Sequence, residues 1–193
     1  APLRLSAVRV CSPIPHPEQD IICLGVNYAA HADESAQFDR KAFLLDRKKA
    51  TYFSKRAYQT SGPDDLIPSY PELVTSLDYE AELAVIIGRD CKNVCERDAA
   101  ACIFGYTVLN DVSARNLQTE HNQWYFGKSL DGFTPMGPCI VTEDEIPYPP
   151  ALSISSTVNG ELRQQGTTAD LIFSIPFLIA YLSEFMTLQP GDM

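Results

Sequence analysis

The pattern of apolar and polar positions divides the chain into short segments that are typical of β-strands. Four of these segments are apolar or alternating and end at a glycine or a charged residue; they span residues 21–24, 51–56, 76–88 and 103–111. Two further alternating segments flank Asn159-Gly160, the dipeptide that most strongly indicates a two-residue β-hairpin. The sequence therefore predicts many strands that are joined by turns and short connections.

Helical patterns are few and scattered along the chain. Residues 96–101 predict a short helix, and a longer one follows Ser174, which together with Pro176 suits a helix start. Pro190-Gly191 suits its end. One face of this longer helix carries large side chains, namely Leu178, Tyr181, Leu182 and Phe185. Many strands with few helices predict an α+β fold with a mainly antiparallel or mixed sheet.

Two carboxylates interrupt the otherwise apolar segment 76–88. Because side chains alternate across a strand, Glu80 and Glu82 share one face, where they repel each other and lose water. The first cationic residue after them is Arg89, so a divalent cation is the economical counter-ion. With Asp111 at the end of another apolar strand, three carboxylates would suit Mg²⁺ or Mn²⁺. The alternative is a pair of exposed carboxylates at a sheet edge.

Chain length, net charge and hydrophobicity argue against several classes of protein. The 193 residues suffice for one domain with a core, and the formal net charge of −10 disfavours nucleic acid and anionic membranes as partners. No apolar run approaches the length of a membrane span. The first residues lack the pattern of a secretory signal, so we expect a cytoplasmic protein with reduced thiols at its six cysteines. Cys91 and Cys95 lack the second pair that a zinc motif needs.

The domain organisation is expected to be simple. Residues 1–20 form a proline-rich, extended N-terminal segment, and residues 21–193 form one domain. The last residues, "LQPGDM", read as a turn that has just begun another element. We therefore expect the domain to be incomplete at its C-terminal end.

Six motifs in order give the chain a resemblance to the fumarylacetoacetate hydrolase family. They are "CLGVNYAAHADES", "YFSK", "DYEAELAVIIG", "GYTVLNDVSARNLQ", "GKSLDGFTPMGP" and the hairpin "VNGELRQ" with the helix that follows it. The sequence is most similar to the smaller bacterial members, which act as acylpyruvases, oxaloacetate decarboxylases or hydroxyheptadienedioate isomerases. The resemblance implies a mixed β-sheet roll or partly open barrel with a few peripheral helices.

The resemblance also implies the roles of individual residues. The implied metal ligands, for Mg²⁺ or Mn²⁺ with Ca²⁺ as an alternative, are Glu80, Glu82 and Asp111. The implied catalytic residues are the acid–base pair His31 and Glu34 and the enolate-stabilising Lys128. The residues expected to hold the substrate are Arg115, Gln118 and Tyr28.

The shared chemistry of the family implies a small anionic 2-oxo acid as substrate. We expect hydrolysis of the C–C bond of an acylpyruvate such as fumarylpyruvate. The alternatives are oxaloacetate decarboxylation, isomerisation of 2-hydroxyhepta-2,4-diene-1,7-dioate and, more remotely, non-catalytic binding of a dicarboxylate. The family further implies a homodimer. Segment 29–48 is rich in charge, and we predict that it becomes ordered only over a bound ligand.

Overall fold

The structure is a computed structural model that describes residues 3–28 and 49–193. The described residues form nine strands: β1 (Ile21–Leu24), β2 (Tyr52–Lys55), β3 (Leu77–Asp78), β4 (Ala81–Ile87), β5 (Ile103–Asn110), β6 (Ser113–Ala114), β7 (Val141–Thr142), β8 (Ser153–Val158) and β9 (Glu161–Thr167). They also form three α-helices: α1 (Arg115–Glu120), α2 (Tyr125–Lys128) and α3 (Ile175–Phe185). Short 3-10 helices span Leu5–Ala7, Glu96–Cys102, Glu143–Glu145 and Thr168–Asp170.

The strands pair in small antiparallel sheets. β1 pairs with β2, β3 with β6, and β8 with β9, while β4, β5 and β7 form a three-stranded sheet in the order β4-β5-β7. Within the described ranges these sheets do not close into a barrel. The predicted α+β fold of several sheets with few peripheral helices is confirmed. None of the helices described here is long and apolar enough to span a bilayer.

The predicted acidic strand is divided in two. β3 ends at Asp78, and β4 begins only at Ala81. At the break, the N–H of Glu80 donates to the side-chain oxygen of Asn110 at 3.0 Å, in place of a regular ladder bond. After Glu82 the strand is largely buried, as its apolar pattern predicts. The break therefore places the two glutamates at the very start of a core strand.

Helix α3 begins where the sequence predicts, with a different face in the core. The hydroxyl of Ser174 accepts the N–H of Phe177 at 3.3 Å and caps the helix. Its buried residues follow a four-residue spacing and are Ile175, Ile179 and Ser183. Tyr181 and Phe185, which share the predicted apolar face, are 39% and 65% exposed. The spacing of apolar residues indicates that a helix forms, and packing against the rest of the fold determines which of its faces is buried.

Three groups of buried side chains form the core. The largest joins β4, β5 and α3 and contains Ile87, Cys91, Ala99, Cys102, Ile103, Tyr106, Ile175, Ile179 and Leu188. A second group links β1 to β4 and β5 through Ile21, Ala84, Leu109 and Met136. The third lies at the far end of β5 and contains Val74, Val112, Ala114 and Phe133. Asp111 follows β5 between the second and third groups, so the carboxylate site is held by packed structure on both sides.

The β8–β9 hairpin turns at Asn159-Gly160, as predicted. Both residues have positive φ, 53° and 81°, which matches the mirror-image turn that two-residue hairpins favour. Asn and Gly tolerate this backbone conformation better than other residues.

Candidate active site

Strand pairing brings the three predicted metal ligands into one cleft. In the β4–β5 register Ala81 lies opposite Asn110, which puts Glu80 and Glu82 beside the residue that follows β5. The N–H of Asp111 donates to the carbonyl of Glu80 at 2.8 Å. Asp111 is 4% exposed, and the Glu80 side chain is 14% exposed. The carboxylates are therefore held at the end of a sheet and not on an exposed edge.

Lys128 lies between two of these carboxylates. Helix α2 ends at this residue, and its ammonium donates to Asp111 Oδ2 at 2.7 Å and to Glu80 Oε2. The lysine is 2% exposed, and its Nζ lies 5.1 Å from the centroid of the Phe53 ring. Burial works against the charge, but Asp111 and Glu80 outweigh it and raise the pKa of Lys128. The enclosed ammonium thus stays protonated within the acidic cleft.

Lys55 is a second buried lysine at the same cleft, and the sequence analysis assigned it no role. It ends β2 with no exposed surface, and its Nζ lies 2.8 Å from Asp111 Oδ1. It also donates to the carbonyls of Val112, at 3.2 Å, and Lys128. Burial lowers the pKa of Lys55, while Asp111 acts in the opposite direction. The sequence feature that could have identified Lys55 is its position at the end of an apolar strand, in the "YFSK" motif.

Arg115 is occupied by groups of the chain itself. Its guanidinium contacts Glu80 Oε1 at 2.6 Å and Asp78 Oδ2 at 2.7 Å, and it donates to the amide oxygen of Gln118 at 2.8 Å. Gln118 is 4% exposed and is linked to Glu80 through Arg115, its neighbour on α1. In this arrangement Arg115 orients Glu80. The binding of a substrate by Arg115 or Gln118 remains a prediction.

Glu82 makes no ion pair with any residue in the described ranges. Burial raises its pKa to about 8, and the negative charges of Glu80 and Asp111 act in the same direction. Tyr28 lines the same cavity as Glu82, and burial, followed by the charge of Glu82, raises the pKa of its hydroxyl. Tyr28 therefore borders the cleft, as predicted, while its contact with a substrate remains a prediction.

The predicted acid–base pair, His31 and Glu34, lies outside the described residues. The same holds for segment 29–48, for which we predict ordering over a ligand. Both remain predictions from the sequence.

The donor atoms of the cleft have the chemistry that a hard divalent cation requires. Asp111 Oδ1 is buried and meets the Lys55 ammonium at 2.8 Å as an ion pair without an aligned hydrogen bond, and Glu82 has no cationic partner in the described ranges. In this part of the chain no three acidic, histidine or cysteine side chains are grouped closely enough to hold a metal ion, and the Lys128 ammonium lies between Glu80 and Asp111. The residues whose oxygen atoms suit Mg²⁺ or Mn²⁺ are Glu80, Glu82 and Asp111, with Lys128 beside them.

A cavity of about 180 Å³ opens beside the carboxylates. Its volume corresponds to about six water molecules. Glu80, Glu82 and Asp111 line it together with Asn27, Tyr28 and Asp192, and apolar residues of β1, β4 and α3 form most of the remaining wall. In this wall Met193 accepts the N–H of Ile22 at 3.0 Å, so the last residue described adjoins β1.

Comparison with known proteins identifies the family to which this chain belongs. A sequence profile described as "Fumarylacetoacetate (FAA) hydrolase C-terminal" matches residues 20–193. The chain belongs to the fumarylacetoacetate hydrolase family. The resemblance inferred from the six motifs is thereby confirmed.

Three similar proteins show how the family members are related to this chain. The oxaloacetate tautomerase YisK of Bacillus subtilis is 44% identical over 189 residues, which is 98% of this chain and 61% of that protein. A homoprotocatechuate catabolism bifunctional isomerase/decarboxylase of Escherichia coli is 47% identical over 181 residues, 93% of this chain and 40% of that protein. The solved structure of a fumarylacetoacetate hydrolase from Exiguobacterium antarcticum superposes with a TM-score of 0.84 at 40% identity, covering 100% of this chain and 66% of that one.

The chain spans 40% to 66% of the lengths of these three proteins. Two of them are named for tautomerisation or for isomerisation with decarboxylation, and one for hydrolysis. The comparisons thus establish the family of the chain. The particular reaction is a matter of proposal.

Proposed function

We propose that this protein is a divalent-cation-dependent enzyme that converts 2-oxo acids through an enolate. Keto–enol tautomerisation of a 2-oxo dicarboxylate such as oxaloacetate is the leading reaction. The observation that carries the proposal is the buried ammonium of Lys128, which is held among Glu80, Asp111 and the aromatic ring of Phe53. A fixed positive charge in an enclosed cleft stabilises an oxygen that becomes negative during the reaction.

Each side chain of the cleft has a definite part in this chemistry. A cation held by Glu80, Glu82 and Asp111 would supply Lewis-acid stabilisation to the carboxylate and 2-oxo oxygens of the substrate. Lys128 donates a hydrogen bond to the developing enolate oxygen. Lys55 keeps Asp111 ionised and fixes its direction through their contact at 2.8 Å.

Tautomerisation takes precedence here over acylpyruvate hydrolysis, which the sequence analysis placed first. The relatives that are 44% and 47% identical are named a tautomerase and an isomerase/decarboxylase. Keto–enol tautomerisation moves a proton between the oxygen and the carbon of the enolate, and it requires a cation, an ammonium group and a group that carries the proton. Hydrolysis needs in addition a base that activates water.

Acylpyruvate hydrolysis is the second candidate. The i, i+3 spacing of His31 and Glu34 favours it, because a carboxylate that orients an imidazole makes a competent general base. The solved structure with a TM-score of 0.84 is named a hydrolase, which also supports this candidate.

A substrate panel tests the proposal. The purified protein is assayed with Mg²⁺, with Mn²⁺ and with EDTA, on oxaloacetate for enol–keto exchange and for release of CO₂, and on acetylpyruvate and fumarylpyruvate for cleavage. We expect metal-dependent exchange of oxaloacetate to be the fastest reaction. Faster cleavage of an acylpyruvate would favour hydrolysis. The absence of metal-dependent turnover for every compound would overturn the proposal and support a binding protein.

Lys128→Met tests the proposed role of the ammonium within the same assay. We expect kcat to fall by about 10²-fold or more, which is the usual effect of removing one donor to a developing oxyanion. Lys92→Met is the matched control, since Lys92 is an exposed lysine that donates to the carbonyl of Glu184. Equal activities of the two variants would remove Lys128 from the mechanism.

A further inference from the structure

The side chain of Gln164 makes a two-point contact with the backbone between the two glutamates. Its Oε1 accepts the N–H of Ala81 at 2.8 Å, and its Nε2 donates to the carbonyl of the same residue at 2.8 Å. Gln164 belongs to β9, 83 residues further along the chain. One side-chain amide thus satisfies both backbone polar groups of Ala81.

The geometry of the strand explains why this contact matters for the site. The N–H and C=O of one residue point to the same edge of a strand, and those of its neighbours point to the opposite edge. The carbonyl of Glu80 faces β5, because it accepts the N–H of Asp111. Ala81 therefore presents its backbone groups to the other edge of β4, and there the amide of Gln164 takes the place of a neighbouring strand.

We propose that Gln164 is a positioning residue that holds Glu80 and Glu82 at the separation and direction needed to bind a cation together. Glu80 is anchored on the β5 side by Asn110 and Asp111, Glu82 lies opposite Leu109 of β5, and Gln164 closes the opposite side at the residue between them. Without it, the start of β4 would have one unpaired edge at the residue that joins the two carboxylates. The inference rests on the proposed metal site and adds to it a residue from a distant hairpin.

The hydrogen bonds of Gln164 could also serve only to dock the hairpin on β4. The two roles differ in what they predict for a folded variant. A docking contact contributes to the free energy of unfolding and leaves the cation affinity of the folded protein unchanged. If the contact positions the carboxylates, its loss weakens cation binding, because the two carboxylates must then be ordered when the cation binds.

The neighbouring Gln165 offers a matched control. It lies on the same strand, carries the same side chain and is exposed. Gln164→Met and Gln165→Met keep the length of the side chain and remove the amide. Mn²⁺ alone serves as the probe, and its dissociation constant is measured by calorimetry and by electron paramagnetic resonance on purified protein whose folding has been checked by circular dichroism. Gln164→Asn, which keeps an amide but is too short for both contacts, is tested in parallel in case Gln164→Met does not fold.

We expect Gln164→Met and Gln164→Asn to weaken Mn²⁺ binding by roughly 10- to 100-fold, as is usual for partners of metal ligands, and Gln165→Met to leave it within about twofold. A folded Gln164 variant that binds Mn²⁺ as tightly as the parent would overturn the positioning role alone. So would an equal loss in Gln165→Met, which would indicate a general effect on the hairpin. A parent protein that binds no Mn²⁺ would overturn the metal centre, and with it this role.

Discussion

Glu82 is distinguished from its neighbours by what surrounds it. Glu80 and Asp111 each contact an ammonium or a guanidinium, whereas the described residues bring to Glu82 mainly negative charge and the Tyr28 hydroxyl. Its pKa of about 8 means that a proton neutralises this carboxylate near neutral pH when no cation is bound. Cation binding must displace that proton, so the affinity should rise with pH.

We predict that the free energy of unfolding of the metal-free protein falls as the pH rises from about 5 to about 8.5. In the unfolded chain the pKa of a glutamate is about 4.3, whereas the folded value is about 8. Between these values the folded state binds more protons. Its extra stability is therefore complete below the unfolded pKa and is lost as the pH passes the folded one.

Urea unfolding in EDTA at pH 5.5, 7.0 and 8.5 measures this dependence. Glu82→Gln should flatten it, because the glutamine does not titrate, while Glu72→Gln at an exposed position should retain it. If parent and Glu82→Gln show the same slope, the assignment of the raised pKa to Glu82 is wrong.

At the scale of elements, the site depends on the close approach of two short helices. α1 carries Arg115 and Gln118, and α2 carries Lys128. They meet at Gly127, where an added Cβ would lie 2.6 Å from the backbone nitrogen of Gln118 and 2.8 Å from the carbonyl of Ala114. Backbone atoms cannot move aside as a flexible side chain can. Glycine is therefore required for Lys128 to reach the carboxylates.

We predict that Gly127→Ala separates α1 from α2 and withdraws Lys128 from Glu80 and Asp111. Overpacking of this kind costs about 1–3 kcal/mol of stability, and turnover should fall at least as far as in Lys128→Met. Gly166→Ala is the control, because among the described residues a Cβ there would meet Tyr28 at an ordinary distance of 3.7 Å. Thermal unfolding and the oxaloacetate assay measure both effects. Full activity in Gly127→Ala would show that the helices can part without moving the ammonium.

At the scale of the whole molecule, several large apolar side chains of a single chain contact water. Those more than half exposed include Val108, Phe126, Leu162 and Phe185. Burial of such surface between two copies would be favourable by about 25 cal/mol for each Å² of apolar area. This surface supports the homodimer that the family resemblance implies.

We predict a homodimer at micromolar concentration. Light scattering should give twice the chain mass of 21.4 kDa, and dilution should lower the average mass as the dimer dissociates. A mass of one chain across the whole concentration range would contradict the prediction.

The amino-acid sequence by itself determined which elements form, and it pointed to three carboxylates as the proposed metal ligands. The positions of β1, β2, β5, the β8–β9 hairpin and α3 follow from local periodicity, turn residues and caps, which act between residues a few positions apart. The motifs also identify the family without reference to the tertiary structure. Of the proposed site, the sequence pointed to Glu80, Glu82, Asp111 and Lys128, and the structure brings all four to one cleft.

The tertiary structure alone decided which groups balance and hold these carboxylates. Lys128 meets Glu80 across 48 positions of sequence, and Gln164 meets Ala81 across 83. Nothing local marks such pairs, because a lysine or glutamine on a short strand or helix is exposed in most proteins. The break before β4, the buried stripe of α3 and the role of Lys55 were decided in the same way. Each depends on packing between distant segments, which selects one of several arrangements that the local pattern allows equally.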